Sequence, residues 1–188
     1  MTKIDVLVGL DPPFRAKLET LLDVCDEAGL EVVPYQGLRR PAEQGRLWAQ
    51  SRTETEVAHE VEMLRAAGAD YLANVLSAAE HSHGPHVTNA LPGQSWHQFG
   101  RAVDCYIVSP DTGKALWRDR RLDGLAFGSA CQLYERFGRL TESAQLTWGG
   151  RWAIGDYGHV QLDKANSPLS GFGSWRALSA ALADLEAE

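Results

Sequence analysis

Ser95-Trp96-His97-Gln98-Phe99-Gly100-Arg101-Ala102-Val103-Asp104 decides the fold, and Asp156-Tyr157-Gly158-His159 answers it far downstream. Gly100 ends the first part of the motif. Ala102-Val103-Asp104-Cys105-Tyr106-Ile107-Val108 then reads as a buried β-strand, apolar except for a carboxylate near its start. An unpaired buried aspartate is costly, so Asp104 calls for a cation. Around His159, Gly155 and Gly158 argue against a helix, and His159-Val160-Gln161-Leu162 alternates like a strand with His159 and Gln161 on one face. His97, Asp104 and His159 together form a mixed imidazole and carboxylate set. Three such ligands characterise zinc sites that keep a fourth position open for water. Asp156 stands outside that set and is free to act as the general base.

Each residue also has a plainer reading. A single histidine on an apolar strand is usually a hydrogen-bonded core residue, and the joint occurrence of His97, Asp104, Asp156 and His159 is what favours the metal. The rival cluster, His81-Ser82-His83-Gly84-Pro85-His86, lies in a Gly/Pro-containing loop without a buried carboxylate. Trp96, Trp148 and Trp152 are core aromatics or walls of a substrate site, with core favoured for Trp148. Ser95 shapes the metal turn, because no His-acid pair is left over to activate it as a nucleophile.

The 188 residues fit one compact domain, residues 1–188, with enough chain to bury a full core. Asp11 reads as an N-cap followed by Pro12 at the first helical position, and Phe14, Leu18, Leu21, Leu22 and Cys25 share one face up to Gly29. Helices are expected near Pro12 to Ala28, Pro41 to Ser51, Leu125 to Phe137 and Ser174 to Leu185. Strands are expected over Val103 to Val108 and Gly158 to Leu162. The fold class is therefore α+β, a central antiparallel sheet with helices covering one side.

A formal net charge of -7 disfavours a nucleic-acid partner, which would require a basic face. Cys25, Cys105 and Cys131 sit in apolar contexts and read as small core residues made in a reducing compartment. No stretch is long enough for stable membrane insertion, and Met1-Thr2-Lys3-Ile4-Asp5 with Val6 to Leu10 is too short for a signal peptide. Synthesis in the cytoplasm without a signal peptide is expected, and so is a monomer.

On these motifs the chain resembles the M15 zinc peptidases, within the group sharing the D-alanyl-D-alanine peptidase and Hedgehog fold. The pattern is S-x-H-x-x-G-x-A-x-D followed by D-x-x-H. Val87-Thr88-Asn89-Ala90-Leu91-Pro92-Gly93-Gln94-Ser95 and Trp148-Gly149-Gly150-Arg151-Trp152 are similar to the L-alanyl-D-glutamate endopeptidase subgroup, which includes phage endolysins. A fourth motif, Gly37-Leu38-Arg39-Arg40-Pro41-Ala42-Glu43-Gln44 running into Leu47-Trp48-Ala49-Gln50-Ser51-Arg52-Thr53, resembles the subgroup's G-Y-R-x-x-x-E-Q and L-Y-A-Q-G-R-T, with Leu38 and Ser51 in place of Tyr and Gly.

The resemblance implies Zn2+ on His97, Asp104 and His159, Asp156 as catalytic base, and Arg39 stabilising the oxyanion or orienting a substrate carbonyl. It implies hydrolysis of the L-Ala-D-Glu bond in the peptidoglycan stem peptide, on the cell wall after release or secretion. The alternatives are a D,D-carboxypeptidase or dipeptidase on the same site, and a zinc-containing binding domain without turnover. Glu43 and Gln44 are either helix-start residues or supports for Arg39. One segment, residues 54–85, is an insertion relative to the subgroup. Thr53-Glu54-Thr55-Glu56 is a capping box, and Val57, Val61, Leu64, Tyr71, Leu72, Val75 and Leu76 recur at helical spacing, with Gly68 as a break. Packing or decoration, a lid, and a face for a protein partner are the readings open for it.

Overall fold

The computed structural model describes residues 6–80, 83–117 and 125–187. Met1–Asp5 and the His81–Ser82 part of the histidine-rich loop lie outside the described residues. Two compact units form, one from residues 1–38 and 100–164, the other from residues 39–99 and 165–188.

The first unit is a sheet with helices. Helix α1 (Pro12–Glu27) starts as the sequence predicts: the Asp11 carboxylate accepts from the Phe14 N–H at 3.1 Å and Pro12 opens the helix. Phe14, Leu18, Leu21, Leu22 and Cys25 form its buried face. Strand β1 (Val32–Gln36) runs antiparallel to β2 (Ala102–Val108), β3 (Ala115–Leu116) pairs with the end of β2, and β5 (His159–Gln161) lies between β2 and β4 (Thr147–Trp148). All pairings are antiparallel. Val103, Cys105 and Ile107 of β2 pack with Val160 of β5, Trp148 of β4, α1 and Phe137 of α5 (Leu125–Ser143) in one core. Asp104, Tyr106 and Val108 alternate with them and are half-buried, so period-two geometry keeps the carboxylate off the core face.

Strand β1 is absent from the sequence expectations. Pro34 cannot donate to a ladder, and the register is irregular between Pro34 and Gln36. Such a strand survives at a sheet edge, where β1 lies. Strands β3 and β4 are two residues long, too short to leave a periodic signal. The Tyr134 hydroxyl donates to the Leu116 carbonyl at 2.7 Å, and burial pushes its pKa up to about 12.

The second unit is helical: α2 (Pro41–Ala49), α3 (Glu54–Ala66), α4 (Asp70–Ser77), α6 (Leu169–Phe172) and α7 (Trp175–Ala187). The Thr53 capping box is present in both directions: the Thr53 hydroxyl accepts from the Glu56 N–H at 3.2 Å, and the Glu56 carboxylate accepts from the Thr53 N–H at 2.8 Å. As expected, the helical pattern breaks at Gly68. Trp48, Val57, Val61, Leu64, Leu72, Leu76, Leu178 and Leu182 make a separate core.

The expected helices near Pro41 and Ser174 form, and both pack with the 54–77 helices. Leu64, Leu72 and Leu76 there are at most 2 % exposed, and burying each stabilises by about 1.5 to 3 kcal/mol. Among the described residues no helix is long and apolar enough to cross a membrane.

Replacing residues 54–85 with a short Gly/Ser linker should therefore remove most of this core. Thermal unfolding followed by circular dichroism should show a lower midpoint and less cooperativity. A melting curve like that of the intact protein would make the segment a decoration after all.

Candidate metal centre

The register of β2 against β5 sets Asp104 directly opposite His159. Residues opposite each other in an antiparallel pair share a face, so the two side chains meet. The His159 Nδ1 and Asp104 Oδ1 atoms are 3.0 Å apart. On the reverse face the neighbouring pair, Val103 opposite Val160, is fully buried and anchors the register in the core. Two ladder bonds extend it, from Cys105 N–H to the Gly158 carbonyl at 2.9 Å and from Leu162 N–H to the Arg101 carbonyl at 3.0 Å.

His159 is 7 % exposed. Burial alone would lower its pKa. The hydrogen bond and charge of Asp104, with further contributions from Asp156 and Gln161, outweigh burial and hold the pKa above the ordinary imidazole value. The Nε2 atom lies 3.1 Å from Gln161 Oε1, and the Trp152 ring packs against the imidazole with centroids 4.9 Å apart.

His97 sits on the 3-10 turn Trp96–Phe99, where its N–H donates to the Ser95 hydroxyl at 3.4 Å, the turn-shaping role expected of Ser95. The turn leads through Gly100 straight into β2. Gly100 has a φ of +63°, a conformation that β-carbon-bearing residues avoid, and its carbonyl accepts from the Asp11 N–H at 2.9 Å. Ligand atoms of His97, Asp104 and His159 all lie within 4.8 Å of one another, and among the described residues this is the cluster that could hold a metal. Two imidazoles and one carboxylate fit zinc chemically, with a coordination position to spare.

Asp156 is placed by its backbone: its N–H donates to the Gly149 carbonyl at 3.0 Å, and its carbonyl accepts from the His159 N–H at 3.3 Å. A β-carbon on Gly149 would lie 2.6 Å from the Asp156 carbonyl oxygen and 3.0 Å from His159 Cβ, which explains a glycine in the W-G-G-x-W motif. Trp148 is 1 % exposed and its indole N–H donates to the Tyr157 carbonyl at 2.8 Å, so it is a core residue as expected.

Arg39 is held within the helical unit. Its N–H donates to the His97 carbonyl at 3.1 Å, and its guanidinium donates to Gln44 Oε1 at 3.0 Å. Gln44 is fully buried and its amide donates in turn to the Ala90 carbonyl at 2.7 Å and the Thr88 hydroxyl at 3.3 Å. Between the two readings of Gln44, the structure supports the one in which it holds Arg39, with Thr88 and Ala90 of the V-T-N-A segment accepting from its amide. Of the rival histidine loop, His86 Nδ1 lies 3.3 Å from the Ser51 hydroxyl.

A family model for VanY, described as D-alanyl-D-alanine carboxypeptidase, matches residues 8–123, and an M15 peptidase model with the same description matches residues 88–162. The first spans more than half of the chain, and the chain belongs to the M15 metallopeptidases. A curated relative, the peptidoglycan L-alanyl-D-glutamate endopeptidase CwlK of Bacillus subtilis (strain 168), is 25% identical over 154 residues, covering 81% of this chain and 73% of that protein. Two solved structures align at 18% identity and a TM-score of 0.43: the Serratia marcescens L-Ala D-Glu endopeptidase ChiX, covering 86% of each chain, and a vancomycin-resistance D,D-pentapeptidase VanY variant in complex with Zn(II), covering 88% of this chain and 80% of that one.

The ligand assignment makes a direct prediction. His97→Ala, Asp104→Ala and His159→Ala should each lose bound metal by elemental analysis, with unchanged circular dichroism. Full metal occupancy in all three variants would overturn the assignment.

Proposed function

We propose that this chain is a zinc-dependent peptidoglycan endopeptidase that hydrolyses the L-Ala-D-Glu bond of the stem peptide. The observation that carries the reading is the β2–β5 register, which pairs Asp104 with His159 beside His97 in a chain of the M15 family. Zinc, when bound there, supplies Lewis acidity and lowers the pKa of a water toward neutrality. Asp156 accepts the proton of the attacking water and returns it to the leaving nitrogen, so the amide C–N bond breaks as a new C–O bond forms. The guanidinium of Arg39, kept in place by Gln44, stabilises the negative charge that develops on the carbonyl oxygen. Action on the wall follows release or secretion of the protein.

Support for the L-Ala-D-Glu bond comes from the name of CwlK and from the V-T-N-A and W-G-G-x-W motifs. A second reading, D,D-carboxypeptidase, is favoured by the description that both family models carry. Mass spectrometry of digested peptidoglycan separates them. The endopeptidase frees peptides beginning with D-Glu and leaves L-Ala on the muramic acid. Release of D-Ala without a new D-Glu amino terminus would move the function to the carboxypeptidase. In the same assay Asp156→Ala should keep metal and lose turnover by on the order of 10²-fold or more. Near-normal turnover in that variant would remove Asp156 from the mechanism.

Arg39→Lys keeps the charge but not the planar fork shared with Gln44. It should lower kcat with little effect on metal content, because the interaction is stronger in the transition state than in the ground state. A change confined to KM would make Arg39 a ground-state anchor for substrate.

A further inference from the structure

Gln161 follows His159 by two residues on β5, on the same strand face, and is 1 % exposed. Its amide nitrogen donates to the main-chain carbonyl of Asp163 at 2.6 Å, while its amide oxygen lies 3.1 Å from His159 Nε2. Turning the amide over would bring its oxygen against the Asp163 carbonyl oxygen at that same short distance, two acceptors facing each other. The backbone therefore fixes the direction of the amide. An amide oxygen can only accept, so the His159 Nε2 that faces it carries a proton. The other ring nitrogen, Nδ1, faces Asp104.

We propose that Gln161 is a positioning residue: it keeps the proton of His159 Nε2 engaged, so that Nδ1, the nitrogen that meets Asp104, is the one left for a metal to take. The inference rests on the metal reading above and adds to it the residue that prepares one ligand. A histidine ligand whose second nitrogen donates to a fixed acceptor is oriented before the metal arrives and is a stronger base at the ligating nitrogen. Here a short relay supplies that acceptor: imidazole to side-chain amide to main-chain carbonyl. Its outer end is backbone, so the orientation does not depend on a second mobile side chain. Trp152 packs on the imidazole and limits its tilt.

The test uses the whole protein with zinc(II) as the probe, reading affinity by chelator competition and protonation by 15N NMR of the His159 ring. The zinc-loaded wild type should show a slowly exchanging proton on Nε2 and none on Nδ1. Gln161→Met, similar in length but without the acceptor, should weaken zinc binding by about 10- to 100-fold and lose the slow Nε2 proton signal. Gln161→Glu keeps an acceptor for Nε2 but sets a carboxylate oxygen against the Asp163 carbonyl, so it should keep the Nε2 proton signal at a lower melting temperature. A merely structural role would lower the melting temperature of both variants alike and leave the ring signal unchanged. A wild-type ring with its proton on Nδ1, or Gln161→Met binding zinc as tightly as wild type, would overturn the proposal. Should Gln161→Met not fold, the wild-type tautomer and Gln161→Glu decide. A wild type that binds no zinc at all would sink the metal reading itself, an outcome distinct from tight binding through the other nitrogen.

Discussion

The pairing register of β2 and β5 is the constraint that brings Asp104 and His159 together. Side chains on a strand alternate with a period of two, so a slip of one residue would turn Asp104 into the core and Val103 away from it. The apolar residues on the reverse face prevent that slip. Val103, Ile107 and Val160 are fully buried, and Cys105 nearly so, against Phe14, Phe137 and Trp148. Core packing on one face thus fixes ligand geometry on the other.

Around this pairing the polar residues are held through the main chain to an unusual degree. Asp156 is bonded by its N–H and its carbonyl, Gln161 leans on the Asp163 carbonyl, and Gln44 on the Ala90 carbonyl. Backbone acceptors do not rotate, so groups tied to them lose little precision to side-chain motion. The same logic accounts for Gly149, where the close approach of Asp156 and His159 leaves no space for a β-carbon. What looks in the sequence like a string of matched motifs is, in space, a set of main-chain anchorages for a few polar side chains.

The helical unit shows a different economy. Its core is built largely from residues 54–77, with Leu64, Leu72 and Leu76 among its most buried residues. Those residues are structural in this chain whatever else the surface of that segment does. The unit also holds Arg39, through the fully buried amide of Gln44, which is itself bonded to Thr88 and Ala90.

By itself the sequence determined whatever depends on short-range pattern. The Asp11 cap, the Thr53 capping box, the break at Gly68 and the strand segments that carry Asp104 and His159 are all legible because each is a local spacing with a local physical cause. Even Gln161 could be placed on the face of His159 by alternation alone. Only the tertiary structure decided what depends on partners far apart in the chain. Strand β1, with Pro34 in it, exists because β2 pairs with it, and the two-residue β4 exists because β5 does. That α2 and α7 pack with the 54–77 helices is settled by which apolar faces fit together. The direction of the Gln161 amide is likewise decided by a carbonyl two residues on and an imidazole two residues back, which a one-dimensional pattern of residue types does not encode: alternation says which face a side chain takes, and only folded geometry says which of its atoms meets which neighbour.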